Sequence, residues 1–114
     1  MHGGGSSGII LIIDLVIAVI MIVSVWKIFD KAGEPGWAAI IPIYNLYVML
    51  KVAGKPGWWL ILFFIPLVNF IIFIITDLAL AEKFGKGVGF AIGMILLPII
   101  FFPILAFGDA RYAG

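Results

Sequence analysis

Apolar positions in this chain come in long unbroken runs, not in stripes. Residues 9–29, 58–81 and 88–107 are almost wholly apolar. A helix rises about 1.5 Å per residue, so a run of about 20 residues crosses the roughly 30 Å hydrocarbon layer of a bilayer. Each run therefore predicts a transmembrane helix. The stretch 37–50 differs. As a helix it reaches only about 21 Å, and it carries Pro42 and Asn45 near its middle. Backbone freed by a proline in lipid must be satisfied by protein or water, which predicts a short broken or re-entrant segment. A tilted fourth span extended through Val52 is the alternative.

Punctuation between the runs is repeated. Ala32-Gly33-Glu34-Pro35-Gly36-Trp37 opens one segment and Ala53-Gly54-Lys55-Pro56-Gly57-Trp58 the next. Each leads to a Pro-x-x-Asn, at Pro42–Asn45 and at Pro66–Asn69. A looser third copy, Phe84-Gly85-Lys86-Gly87-Val88-Gly89-Phe90, leads to Pro98. Gly supplies unusual backbone angles, Pro fixes φ where a helix starts, and aromatic rings favour the headgroup level. The unit reads as a membrane-surface turn and helix start used three times. A functional reading has the three loops converging on one face to bind a partner.

Composition agrees with lipid as the solvent. The chain is 65% hydrophobic and 11% charged, against roughly 45–50% and 25% in soluble domains. One modest core in water cannot bury that much apolar surface. The expected fold is an all-α integral membrane protein with three transmembrane helices plus one short broken or re-entrant segment, or else four transmembrane helices. A Gly/Ser leader over residues 1–8 has the composition of a flexible linker, and residues 9–114 form a single membrane domain. The first run reads as a retained span. It lacks a basic n-region, exceeds a usual h-region, and is followed by Trp26-Lys27 where a cleavage site needs small residues.

Seven basic and six acidic residues give a net charge of +1, with no basic tract for nucleic acid. If 37–50 dips and returns, Lys27, Lys31, Lys51, Lys55 and Arg111 share one side and Lys83 and Lys86 lie opposite. The positive-inside rule then puts the N-terminus outside and the C-terminus in the cytoplasm.

Few residues could carry chemistry. Asp14 lies inside the first run, and an intramembrane acid is a functional-site hypothesis. It can hydrogen-bond a neighbouring helix or the interface, serve an ion or proton, or touch another subunit. Asp14, Ala18, Met21 and Val25 share one helix stripe, which predicts a protein-facing side. Asn45 and Asn69 occupy matching places in the two repeats. They can hold backbone groups released by Pro42 and Pro66, or line a midplane site. Thr76 and Asp77, followed by Glu82, Lys83 and Lys86, read as a polar helix exit, with Asp77 a further intramembrane polar candidate. Gly85, Gly89 and Gly93 recur every four residues, a spacing that lets helices approach closely. Pro98 and Pro103 are expected to bend the last run.

No catalytic set emerges. Ser24 and Lys27 are one helical turn apart, but a lysine base must be desolvated, and Lys27 at a span end can snorkel into water. There is no cysteine, and the lone histidine is His2, so no metal site or cofactor is expected.

Several blocks together resemble a family of small uncharacterised prokaryotic membrane proteins. They are Lys31–Ala39, Ile41–Asn45, Gly54–Trp59, Ile65–Asn69, Phe84–Phe90 and Pro103–Tyr112, in fixed order over nearly everything after the leader. The resemblance implies a multi-pass protein of a bacterial or archaeal plasma membrane and supplies no activity or functional residues. Members are sometimes labelled signal peptidase I, yet this chain lacks the serine–lysine site and β-rich domain such a peptidase requires. The resulting expectation is a non-enzymatic accessory or scaffold subunit, packing in the lipid bilayer against other membrane proteins or copies of itself. The alternative is a homo-oligomeric channel or small transporter with Asp14, Asn45 and Asn69 lining the route.

Overall fold

The computed structural model describes residues 4–113, and all its regular elements are helical. They are α1 (Gly4–Lys31), α2 (Pro42–Val52), α3 (Val68–Lys83), α4 (Val88–Leu96) and α5 (Pro98–Phe107), with 3-10 segments at Gly36–Ile40 and Gly57–Phe64. The 28 residues of α1 rise about 42 Å, and α1 is the one described helix long and apolar enough to cross a bilayer. The expected linker over 1–8 is helical from Gly4 on; residues 1–3 lie outside the described part. Helix growth adds one hydrogen bond per residue once nucleated, so the apolar run carries the helix back into the Gly/Ser stretch.

The thrice-repeated unit is a helix stop before it is a helix start. In each copy the N–H three residues beyond the helix returns to a carbonyl five residues back: Glu34 to Phe29 O, Lys55 to Leu50 O and Lys86 to Ala81 O, each at 2.8 Å. The preceding glycine N–H closes the inner bond, Gly33 to Asp30 O, Gly54 to Lys51 O and Gly85 to Glu82 O. That pairing is the Schellman C-cap, which requires a left-handed residue after the helix. Gly33, Gly54 and Gly85 supply it, with φ of 79°, 78° and 75°.

All three turns lie at the same end of the molecule. Glu34 of the first pairs with Lys51, at the end of α2, at 3.5 Å. Gly54 of the second approaches the Lys83 side chain at the end of α3. The C-terminal tail ties them together. Lys31 Nζ donates to Leu105 O, Gly108 O and Ala110 O at 2.7, 3.1 and 2.8 Å. Tyr112 Oη donates to Val52 O at 2.8 Å, and the Ala113 N–H donates to Lys83 O at 2.6 Å.

From this end the chain makes three hairpins. Gly36–Ile40 leads away and α2 returns; Gly57–Phe64 leads away and α3 returns; α4 leads away and α5 returns. The 11 residues of α2, 16 of α3 and 10 of α5 rise about 16, 24 and 15 Å. The stretch 37–50, expected to be short and broken or re-entrant, is broken at Ile41, with a 3-10 segment before it and α2 after it. The helices expected over 58–81 and 88–107 are not continuous: each is broken and reversed. At 65–67 the chain turns through Leu67, a non-glycine residue at φ 70°, where the Val68 N–H reaches back to Pro66 O at 2.8 Å in a γ-turn. At Leu97 (φ −134°, ψ 62°) α4 ends, because the following Pro98 disfavours helical angles in the residue before it. Phe90 and Phe101 then pack edge-on across the break, centroids 5.1 Å apart.

Burial is confined to one half of the molecule. Ile28, Phe29, Val48, Leu50, Leu80, Met94 and Leu105 are fully enclosed where the hairpins pack against one another and the second half of α1. Residues 7–20 of α1 are exposed throughout, so the expected protein-facing stripe holds for Met21 and Val25 but not for Asp14 and Ala18.

Candidate functional site

Charge separates along the molecule. The seven basic residues (Lys27, Lys31, Lys51, Lys55, Lys83, Lys86 and Arg111) all belong to the end that carries the turns. Lys83 and Lys86, expected opposite the others, join them because α3 returns to the end from which its hairpin began. Asp30, Glu34, Glu82 and Asp109 lie at this end too. Aromatic rings collar it: Lys55 Nζ sits 5.4 Å from the Trp59 ring centroid and Lys86 Nζ 5.4 Å from that of Phe90. Trp37, Tyr44 and Tyr47 stack in sequence at 5.6 and 6.1 Å. A hollow of about 590 Å³ opens under the tail beside Lys31. A lysine has three N–H donors, and those of Lys31 meet three carbonyls, so this group serves as a structural clasp.

A second cavity, about 420 Å³, lies between the hairpins and α1. Met21 and Val25 of α1, Asn45 and Met49 of α2, Phe63, then Phe73, Thr76 and Asp77 of α3, and Pro98 and Phe102 of α5 wall it. Its lining is apolar except for three side chains. Asn45 Nδ2 donates to Ala39 O at 2.9 Å, holding the backbone freed ahead of Pro42. Thr76 Oγ1 donates to Ile72 O at 2.7 Å. Asp77 is different: it is only 2% exposed, and its Oδ2 is buried without a hydrogen-bond partner among the described residues. Thr76 and Asp77 are therefore not a helix exit. They face the interior, with the polar exit following at Glu82 and Lys83.

The remaining sequence candidates scatter. Asp14 is exposed on the bare half of α1, and no hydrogen bond or ion pair engages it among the described residues. Asn69 sits in the first turn of α3, its Oδ1 buried and unpartnered among the described residues, so the two matching asparagines do different things. Of the glycines taken for packing, Gly85 is a turn residue at positive φ and Gly89 has open space where a side chain would go. Only Gly93 meets a neighbour, the Phe101 ring, 2.4 Å from the position of an added Cβ. Ser24 Oγ donates to Ile20 O at 2.7 Å, while Lys27 is exposed, which leaves no serine–lysine pair. Sequence reasoning missed the inward face of Asp77 and the Lys31 clasp. The signal for the first was available in the register: Ile72, Thr76 and Leu80 repeat at i+4, and Asp77 and Ala81 follow on the same side.

A family model described as a family of unknown function, DUF5684, matches residues 37–114, which contain the three hairpins and the tail. No curated protein and no solved structure matches the chain.

Proposed function

The chain belongs to the DUF5684 family, and from that premise we propose that it is a non-enzymatic membrane protein serving as an accessory or scaffold subunit. It crosses the bilayer once, through α1, and inserts its three hairpins into one leaflet from the charged end. The dimensions support this reading: the hairpins reach roughly half to three quarters of a 30 Å hydrocarbon layer, whereas α1 exceeds it. Lipid demands that backbone groups at the hairpin tips be satisfied locally. The Asn45 amide, the γ-turn at Leu67, and the bond from the Leu97 N–H to Gly93 O at 2.7 Å all meet that demand. A basic, aromatic-collared end is attracted to the anionic cytoplasmic leaflet, which supports reading the C-terminus as inside and the N-terminus as outside. The resemblance of the sequence blocks points to a prokaryotic plasma membrane.

The observation that carries the subunit role is Asp14. It stands on a helix stretch that no other described residue covers, about 25 Å along α1 from Lys31. A carboxylate facing hydrocarbon is costly unless paired, so a donor from another transmembrane helix completes the site. A photo-crosslinking residue at Ala18, one turn from Asp14, tests this in native membranes. The expected product is a discrete protein adduct, with another membrane protein or a second copy, which Asp14→Leu abolishes. Lipid adducts alone, unchanged by that substitution, would refute the role.

A further inference from the structure

We infer that the cavity walled by Asp77 is a binding site for a lipophilic ammonium, an amphiphile with an apolar body and one cationic head. Three observations lead there. The carboxylate is buried and its Oδ2 has no hydrogen-bond partner among the described residues. Such a group costs free energy until a donor or a cation meets it. The cavity of about 420 Å³ is of a size that holds small ligands, so the missing partner has room to enter. The walls are chemically matched to that partner. Phe63, Phe73 and Phe102 line the space, and aromatic faces attract cations while their area covers an alkyl body.

The protein's own cations do not fill this role. Lys83 lies six residues beyond Asp77, about 9 Å along α3, and its side chain runs beside Gly54 at the charged end. Lys31 is bound to three carbonyls. The neighbouring hydroxyl of Thr76 donates to its own helix. A ligand reaching the cavity from one leaflet would present its ammonium to Asp77 and leave its chain among Met21, Met49 and the aromatic rings. This site is independent of the Asp14 contact: it lies inside the hairpin half, while Asp14 stands outside it.

The test uses the full chain in nanodiscs of neutral phosphatidylcholine, with diazirine-tagged decylamine as probe and diazirine-tagged decanol as its uncharged counterpart. Adducts are located by mass spectrometry. The amine is expected to label Met49 or Phe73 and to be displaced by plain decylamine. Asp77→Asn should lower labelling in the cavity by roughly tenfold or more, the worth of a charge-assisted hydrogen bond. Labelling of the exposed Ile9–Ile20 face of α1 should not change, since it reports only partition into lipid. Met49→Trp, which fills the cavity and keeps Asp77, should also abolish labelling there, and it decides the matter if Asp77→Asn does not fold. Equal cavity labelling by amine and alcohol, or labelling that survives either substitution, would overturn the assignment.

Discussion

Asn45 and Asn69 stand at matching places in two copies of one sequence unit, yet their surroundings give them unequal worth. The Asn45 amide holds the Ala39 carbonyl where the first hairpin reverses; the Asn69 oxygen is buried and accepts from none of the described residues. Asn45→Leu is therefore expected to destabilise the protein by about 1 kcal/mol in a denaturant titration of micelles. Asn69→Leu should leave stability unchanged or raise it, because it removes a buried oxygen that lacks a donor. The glycines divide in the same way. Gly85→Ala forces a side chain into left-handed backbone and should cost about 1 kcal/mol. Gly89→Ala adds a methyl in open space within a helix and should stabilise by about 0.5–1 kcal/mol. Sequence spacing alone grouped Gly85, Gly89 and Gly93 as one packing stripe. A four-residue interval cannot tell a C-cap glycine from a helical one, and only the backbone angle at Gly85 separates them.

Among the elements, the repeat was legible and the reversals were not. Gly33, Gly54 and Gly85, each with a proline or a second glycine two positions later, mark turns by composition, and all three are turns. The runs 58–81 and 88–107 looked continuous because hydropathy says nothing about backbone direction. What breaks them is a proline in each, Pro66 and Pro98, acting on the residue beside it. The expectation that Pro98 bends its run was right in kind and too small in degree. Full reversal depends on Gly93, whose missing side chain admits the Phe101 ring. Gly93→Leu should prevent α4 and α5 from closing, seen as faster amide hydrogen exchange in both helices. The Lys31 clasp links α1 to the end of α5 across more than seventy residues, a separation that local pattern cannot reveal. Lys31→Met leaves three carbonyls without their donor and should expose the tail to proteolysis at Asp109–Arg111.

For the molecule as a whole, one arrangement accounts for the charge asymmetry, the bare half of α1 and the shape of the hairpins together. Every excursion after α1 leaves the charged end and comes back to it, so Glu34, Lys55 and Lys86 share one end of the molecule and, under the proposed insertion, one side of the membrane. A reading of the same sequence as three crossings puts residue 86 across the bilayer from the other two. Because the chain contains no cysteine, single thiols introduced at 34, 55, 86 and 7 report sidedness without background. With a membrane-impermeant maleimide applied to intact cells and to inverted vesicles, the account predicts that 34, 55 and 86 react from the cytoplasmic side only. Position 7 should react from outside only. Labelling of position 86 from the face opposite 34 and 55 would contradict it.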